Sequence, residues 1–466
     1  MGQLGTVFRT PKGKCFYYDA ITNKIFENIQ DAAVKNEPVN LLNAVKDGVL
    51  GHNGIEELQY TFQFDEYINA LDNSLDHMIL GLTEDCNLRC EYCTYSGHYK
   101  YTRNHSSETM TFETAARAVS FLKEHSGNSE HVAISFYGGE PLLCFRQIVK
   151  IVEFAETQFK DKPHHYQITT NGTLMQEEFI IWFSEHKNVF INITLNGDAK
   201  SHDRFRKYPG GMGSHQHIMA NINQLISACG TEDFSRINFL CNYIDLADFE
   251  SIMDFYENNV LLKEKVPILI NQVNPFDNDG FLEKYNLPPD NKDIKNSLLR
   301  KYLAELNTAG DNITFCKAFF DKRLYKIHMR EMVPIHKRAY YLGVCRPFLT
   351  RLFVNTKGEF QICEKVQLSF DFGNVFSGFK LGEITELLEE YKKHNTDCQN
   401  CWAIRMCQAC FYNTFTNEGF KEKRRYDMCR SIKNNLLENL ATYCEIMDDN
   451  EDLLSHLERY EFPVKK

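Results

Sequence analysis

The stretch Met78-Ile79-Leu80-Gly81-Leu82-Thr83-Glu84-Asp85-Cys86-Asn87-Leu88-Arg89-Cys90-Glu91-Tyr92-Cys93 decides how this chain is read. It opens on an apolar run of strand length. It ends on three cysteines spaced C-x3-C-x2-C, with the aromatic Tyr92 directly before the third. Three thiolates this close in sequence suit three irons of a [4Fe–4S] cube and leave the fourth iron without a protein ligand. An open metal position is where a small molecule binds and reacts. A zinc site usually shows paired C-x2-C or C/H spacings instead.

Downstream of this stretch the pattern alternates. Strand-like runs fall at His131–Phe136, Tyr166–Thr169, Val189–Thr194, Ile237–Asn242 and Ile268–Asn271. Helical spacing occupies Thr114–His125, with Ala115, Val119 and Leu122 on one face, and Phe145–Gln158. Thr173-Leu174-Met175-Gln176 has the form of a capping box opening another helix. Six strands alternating with helices predict an α/β fold of parallel βα units, either doubly wound or a barrel. In a barrel, catalytic residues belong at the C-terminal ends of the strands, and Cys86 follows the first strand directly.

Three further strand ends carry polar residues. Ser135-Phe136-Tyr137-Gly138-Gly139-Glu140-Pro141 offers two glycines, which let backbone approach a ligand, beside a carboxylate able to accept bonds from an ammonium group. Thr169-Thr170-Asn171-Gly172 ends the third strand. Ile193-Thr194-Leu195-Asn196-Gly197 ends the fourth and is followed by His202-Asp203-Arg204-Phe205-Arg206. Each of these polar residues also suits a turn or a helix cap.

The chain has 466 residues, too long for one ordinary core, which predicts two or three domains. The balance of 52 basic against 63 acidic residues, net −11, is no footprint for nucleic acid. No apolar run is long enough to span a bilayer. Met1-Gly2-Gln3-Leu4-Gly5 lacks a charged n-region and an apolar h-region, so export is not expected. Sixteen cysteines in such a chain argue for metal ligation over disulfides, and for the reducing cytoplasm.

Residues 1–75 read as a small separate module. Its strand candidates are Val7–Arg9, Cys15–Tyr18 and Lys24–Ile29, and a helical stretch is expected at Asn40–Lys46. Residues 76–275 hold the alternating pattern. Residues 276–340 are charged and read as a helical connection. In 341–466 the cysteine density rises, in the order Cys345, Gly358, Cys363, Cys398, Cys401, Cys407, Cys410 and Cys429.

The Cys86/Cys90/Cys93 motif with Tyr92, and Gly138-Gly139-Glu140-Pro141 roughly 45 residues beyond it, resemble the radical S-adenosylmethionine (SAM) enzymes. The resemblance implies a partial (β/α)6 TIM-type barrel and a [4Fe–4S] cluster on Cys86, Cys90 and Cys93. Its open iron chelates SAM, and one electron from the cluster breaks the sulfonium bond to give a 5′-deoxyadenosyl radical. It further implies Gly138, Gly139 and Glu140 at the SAM amino group, Asn171 and Asn196 lining the pocket, Arg206 on the SAM carboxylate and Tyr92 near the adenine. Many relatives carry Asp at the Asn196 position.

The later cysteines resemble the SPASM domain of peptide- and protein-modifying radical SAM enzymes. The spacing between Cys407 and Cys410 is x2, where that family usually has x3. By this likeness one auxiliary [4Fe–4S] cluster uses Cys345, Cys363 and Cys410, and a second uses Cys398, Cys401, Cys407 and Cys429, making three clusters in all. Seven cysteines cannot fill two cubes, which need eight ligands. Cys316 is the upstream candidate for the eighth.

The N-terminal module resembles, loosely, the winged-helix-like element with which maturases of ribosomally made peptides bind a leader segment. Cys93-Thr94-Tyr95-Ser96-Gly97-His98-Tyr99, with Arg103 and His105, is similar to maturases of cysteine-rich peptides. The function implied is formation of sulfur-to-carbon thioether crosslinks in a precursor peptide with a leader and a cysteine-rich core. The electron donor would be a flavodoxin or ferredoxin. The alternatives are a sulfatase-maturing enzyme producing formylglycine, carbon–carbon crosslinking or epimerisation, and, in another class, a non-enzymatic iron–sulfur regulator.

Overall fold

The computed structural model describes residues 4–27, 55–100, 103–262, 265–273, 281, 284, 292–308 and 313–459. Strands β1 (Gly5–Arg9), β2 (Cys15–Asp19) and β3 (Lys24–Glu27) form an antiparallel sheet in that order. The expected helix at Asn40–Lys46 lies outside the described residues.

After β4 (Glu57–Gln59), six strands follow: β5 (His77–Thr83), β6 (Val132–Gly138), β7 (His164–Thr170), β8 (Val189–Thr194), β9 (Ile237–Tyr243) and β10 (Leu269–Gln272). They pair in parallel and in chain order, as a partial (β/α)6 barrel requires. Period-2 alternation builds both faces of this sheet. Met78, Leu80, Ile134, Phe136, Tyr166, Ile168, Ile191, Ile193 and Phe239 belong to the buried apolar core. The intervening positions Ser135, Tyr137, Gln167, Thr169, Asn192, Thr194, Asn238 and Asn242 give the inner face an amide- and hydroxyl-rich lining. Asn238 Nδ2 donates to Asn192 Oδ1 at 3.3 Å, and His77 Nε2 lies 2.8 Å from Ser135 Oγ.

The helices follow their apolar spacing. Phe145–Phe159 buries Ile148, Ile151, Val152, Ala155 and Phe159, an i, i+3, i+4 stripe, against the sheet. Thr111 Oγ1 caps Phe112–Glu124 by accepting from Thr114 N at 3.1 Å. The capping box at Thr173 is not formed. Thr173 Oγ1 instead donates to Asn171 Oδ1 at 2.6 Å and accepts from Asn87 Nδ2 at 2.8 Å. The helix begins later, at Glu177–Glu185.

The region after residue 340 joins the barrel sheet. Strand β11 (Arg338–Tyr340) pairs with β4, and β12 (Leu352–Val354) lies parallel to β5 at the sheet edge, extended by the antiparallel β13 (Phe360–Gln361). Thus the backbone leading to Cys363 is fixed to the strand leading to Cys86. The N-terminal sheet packs against the long C-terminal helix and the loops around Glu331 and Trp402. Lys12 and Lys14 pair with Asp449 and Asp448 of the helix Glu422–Asp449, Tyr18 packs edge-on against Trp402, and Asn23 Nδ2 donates to Glu331 O at 2.8 Å. Among the described residues no helix is long and apolar enough to cross a membrane.

Candidate SAM and iron–sulfur sites

Beyond β5 the chain turns on its own side chains. Thr83 Oγ1 accepts from Asp85 N at 3.1 Å, and Asp85 Oδ1 accepts from Cys86 N at 2.8 Å. The loop thereby delivers Cys86, Cys90 and Cys93 to the C-terminal end of the sheet. Backbone amides face two of the sulfurs: Leu88 N donates to Cys86 Sγ and Tyr95 N to Cys93 Sγ, each at 3.4 Å. Burial pushes the Cys86 and Cys93 thiols up to about 12 and raises Cys90 as well. Such thiols stay protonated until a metal takes them as thiolates.

The end of β6 lies against this same turn. Gly139 N donates to Thr83 O at 2.7 Å and Glu140 N to Asp85 O at 2.8 Å. A Cβ on Gly138, whose φ is +129°, would stand 2.2 Å from Thr83 O, and one on Gly139 would stand 2.0 Å from Asp85 O. The close approach inferred from these glycines is therefore to the cysteine loop's own backbone, where a side chain could not fit.

Glu140 is fully buried, and its carboxylate is already well supplied with donors. It accepts from Leu142 N at 3.0 Å, Thr170 Oγ1 at 2.6 Å and Asn171 N at 2.7 Å. Burial raises its pKa, while these bonds and Arg206 act against the rise. Its geometry fastens the end of β7 to the end of β6. Asn171 continues the connection: Nδ2 donates to Asn87 Oδ1 at 2.9 Å and lies 3.7 Å from Cys86 Sγ. Asn171 thus supports the cysteine loop directly.

Tyr92 is a hydrogen-bond centre as well as an aromatic wall. Its hydroxyl accepts from Asn196 Nδ2 at 2.9 Å and Arg206 Nη1 at 3.1 Å, and its ring tilts against Phe205 at 6.5 Å. Asn196 Oδ1 in turn accepts from Asn242 N at 2.9 Å, tying the ends of β8 and β9 together. Sequence reasoning missed the support behind this trio. His202 is fully buried; its Nδ1 accepts from Asn196 N at 3.1 Å, and its Nε2 lies 3.2 Å from Ser214 Oγ. Ser214 Oγ donates to Arg206 O at 3.0 Å. The motif His202-x3-Arg206 was visible, but its partner Ser214 lies eight residues beyond Arg206 and carries no local signal.

Arg206 decides whether SAM fits. It is 5% exposed, and its Nε has no hydrogen-bond partner among the described residues. Burial opposes its charge, but Tyr92 and the Cys90 and Cys86 sulfurs outweigh that and raise its pKa. A buried guanidinium with an unused N–H beside three thiols suits a carboxylate-bearing ligand. Cys86, Cys90 and Cys93 would hold the cluster and Arg206 the SAM carboxylate; when bound, the two groups would supply reductive cleavage to a carbon radical.

The later cysteines form two groups. Burial pushes Cys345 up to about 12 and Cys363 to about 11, with Cys410 and Cys363 adding to the rise at Cys345 and Cys410 to that at Cys363. Cys398, Cys401, Cys407 and Cys429 line one cavity, together with Tyr341, Tyr391 and Arg425. Arg425 Nε donates to Asn395 Oδ1 at 2.8 Å, and Nη2 lies 4.0 Å from Cys398 Sγ. Ala409 N donates to Cys407 Sγ at 3.4 Å. Among the described residues no three His, Cys, Asp or Glu side chains close around a single ion. Each thiolate of a cube binds a different iron, so the cube's ligands stand further apart than those around one zinc.

Cys316 does not join either group. It is fully buried in the helix Phe315–His328, with its sulfur 3.4 Å from Met253 Sδ and Glu305, Lys301 and Glu257 nearby. Spacing along the chain carried no information about that depth.

Residues 80–255 match the Radical SAM superfamily. The chain is 32% identical over 142 residues to an uncharacterized protein of Methanocaldococcus jannaschii, covering 30% of this chain and 46% of that protein. It is 30% identical over 157 residues to the cysteine-type anaerobic sulfatase-maturating enzyme of Clostridium novyi, covering 33% of this chain and 40% of that enzyme. The chain thus spans less than half the length of these curated relatives. The solved structure of native anSMEcpe with bound AdoMet and Cp18Cys peptide superposes over 83% of this chain and 100% of that one, with TM-score 0.57 and 16% identity. The superfamily match makes residues 80–255 a Radical SAM domain with the three-cysteine loop at the head of its barrel, and the fold is shared with anSMEcpe over 83% of the chain.

Proposed function

We propose that the chain matures a ribosomally made, cysteine-rich precursor peptide by forming thioether crosslinks from cysteine sulfur to carbon. The observation that carries the peptide reading is the polar inner face of the barrel. Gln167, Asn192, Asn238 and Asn242 present amides, and Thr169 and Thr194 hydroxyls, on the half-buried positions that alternate with the core residues of β7, β8 and β9. Side chains that both donate and accept suit a peptide main chain, which offers both groups at every residue. The anSMEcpe structure of similar fold contains a bound peptide, which agrees with this reading.

Closing a thioether removes two hydrogens from the peptide. One leaves as an atom; a proton and an electron must follow. The groups at Cys345/Cys363/Cys410 and Cys398/Cys401/Cys407/Cys429, read as two further [4Fe–4S] clusters, provide an exit for that electron. The antiparallel sheet β1–β3 would take the leader by strand addition, raising the effective concentration of the core peptide. A flavodoxin or ferredoxin would supply electrons in the cytoplasm.

Formylglycine formation on a sulfatase is the second reading, favoured by the Clostridium novyi relative. Mass spectrometry separates the two. The reduced holoenzyme is incubated with SAM and either a cysteine-rich precursor peptide carrying a leader or a cysteine-containing sulfatase peptide. Loss of two hydrogens per crosslink, with sulfur retained and free thiol lost, is expected on the precursor. Conversion of the sulfatase cysteine to an aldehyde, with the precursor untouched, would overturn the proposal.

A further inference from the structure

The cysteine loop at the head of the barrel and the segment carrying Cys363 are joined by one side chain. Arg103 is 8% exposed. Its Nη1 donates to Glu364 O at 2.6 Å and its Nη2 to Val366 O at 2.7 Å. The two carbonyls flank Lys365, so the guanidinium fork spans the bend immediately after Cys363. The same guanidinium lies 4.5 Å from the centre of the Phe353 ring and 5.7 Å from that of Tyr95. Tyr95 in turn donates its amide to Cys93 Sγ at 3.4 Å, and its ring stacks on His105 at 6.1 Å. His105 N donates to Tyr95 O at 2.8 Å, and His105 Nδ1 lies 3.1 Å from Glu84 O, next to the start of the cysteine loop. A short chain of contacts therefore runs from the sulfur of Cys93 through Tyr95 and Arg103 to the backbone beside Cys363.

We propose that Arg103 is a positioning residue that sets the Cys345/Cys363/Cys410 site against the Cys86/Cys90/Cys93 site. The proposal rests on the reading of both groups as cluster sites. Three observations support a fixed strut. Two different nitrogens of one planar fork reach two different carbonyls, a fixed geometry that the single, flexible donor point of a lysine ammonium does not reproduce. The guanidinium is sandwiched by aromatic faces from both sides of the joint, Tyr95 from the cysteine loop and Phe353 from β12. The segment that it holds is also gripped by its side chain: Arg351 Nη1 donates to Glu364 Oε1 at 2.6 Å, while Glu364 Oε2 is buried without a partner among the described residues. Loss of the fork would release the Cys363 backbone on one side and leave the Arg351 contact on the other. Cys363 would shift relative to Cys345 and Cys410.

The test isolates the later clusters. The Cys86→Ala/Cys90→Ala/Cys93→Ala chain, reconstituted anaerobically, should retain iron and give a reduced-state electron paramagnetic resonance spectrum from the later sites alone. Adding Arg103→Lys should shift or remove the component due to the Cys345/Cys363/Cys410 site and leave the other component unchanged. Arg236→Lys is the control. Arg236 is 5% exposed, bonds to the carbonyls of His186, Val189 and Phe183 and to the Asp233 carboxylate, and stands before the start of β9, at the opposite strand end from the cysteine loop, so its loss is a structural cost of the same kind away from that loop. A spectrum unaltered by Arg103→Lys, or altered equally by Arg236→Lys, would overturn the strut. A triple-alanine chain that binds no iron would overturn the cluster reading itself, and the strut with it.

Discussion

Replacing Glu140 by alanine separates its structural from its ligand role. Three donors converge on its buried carboxylate: Leu142 N, Thr170 Oγ1 and Asn171 N. A hydrogen bond to a charged group contributes about 1.5–3 kcal/mol, and a buried donor left unmatched costs a comparable amount. Taking about 2 kcal/mol at each backbone donor, Glu140→Ala should speed exchange of the Leu142 and Asn171 amides by roughly thirtyfold. Glu140→Gln keeps one oxygen but turns an NH2 toward donors, so it should fall between alanine and wild type. Hydrogen-exchange mass spectrometry of peptides covering residues 139–145 and 168–176 reads this locally, without needing a global two-state transition in a chain of this size. The effect should be present without SAM. If Glu140→Ala weakens SAM binding but leaves exchange in both peptides unchanged, the carboxylate is a ligand contact and the structural reasoning fails.

Two other outcomes follow from the same pocket. Arg206→Ala should weaken SAM binding by roughly ten- to a hundredfold, about 1.5–3 kcal/mol, with iron content unchanged; equal affinity by equilibrium dialysis would show that the carboxylate site is elsewhere. His202 bears on acid stability. Burial first, then Arg206 and His215, hold its pKa well below 6.5, so the folded state keeps it neutral. Below about pH 6.5 the unfolded chain binds a proton that the folded chain refuses, and stability falls as pH falls, by up to about 1.4 kcal/mol per pH unit. His202→Gln should flatten that slope in urea midpoints measured from neutral to mildly acid pH; an unchanged slope would mean that this histidine does not set it.

Much of the barrel was legible because its signal is local. Apolar and polar residues alternate in β6 to β9, and the helix Phe145–Phe159 carries its stripe within fifteen residues. The joining of β12 to β5 was not legible. Leu352–Val354 is three residues long, and it is placed by pairing with residues some 270 positions away. The capping box at Thr173 failed for a related reason. A hydroxyl that suits a helix N-terminus also suits Asn87 and Asn171, and the tertiary partners won. Cys316 shows the same limit, since its chain position next to the later cysteines said nothing of the core around Met253.

The site residues divide along the same line. Position at a strand end can be read from periodicity, because it depends on the chain's own repeat. The direction in which a polar atom turns depends on what the neighbouring strand end offers. Glu140, Asn171 and Asn196 all stand at strand ends, as expected, yet each uses its oxygen or amide on an adjacent loop: Glu140 on Asn171 N, Asn171 on Asn87, Asn196 on Asn242 N and Tyr92. Arg206 differs because its Nε stays buried and unused among the described residues. Most buried donors in a folded chain are satisfied, and an exception that borders the cluster loop calls for an explanation. From that asymmetry, three residues whose polar atoms are engaged within the protein and one with a donor left over, we propose Arg206 as the protein's grip on SAM and the other three as the frame that holds the cluster loop in place.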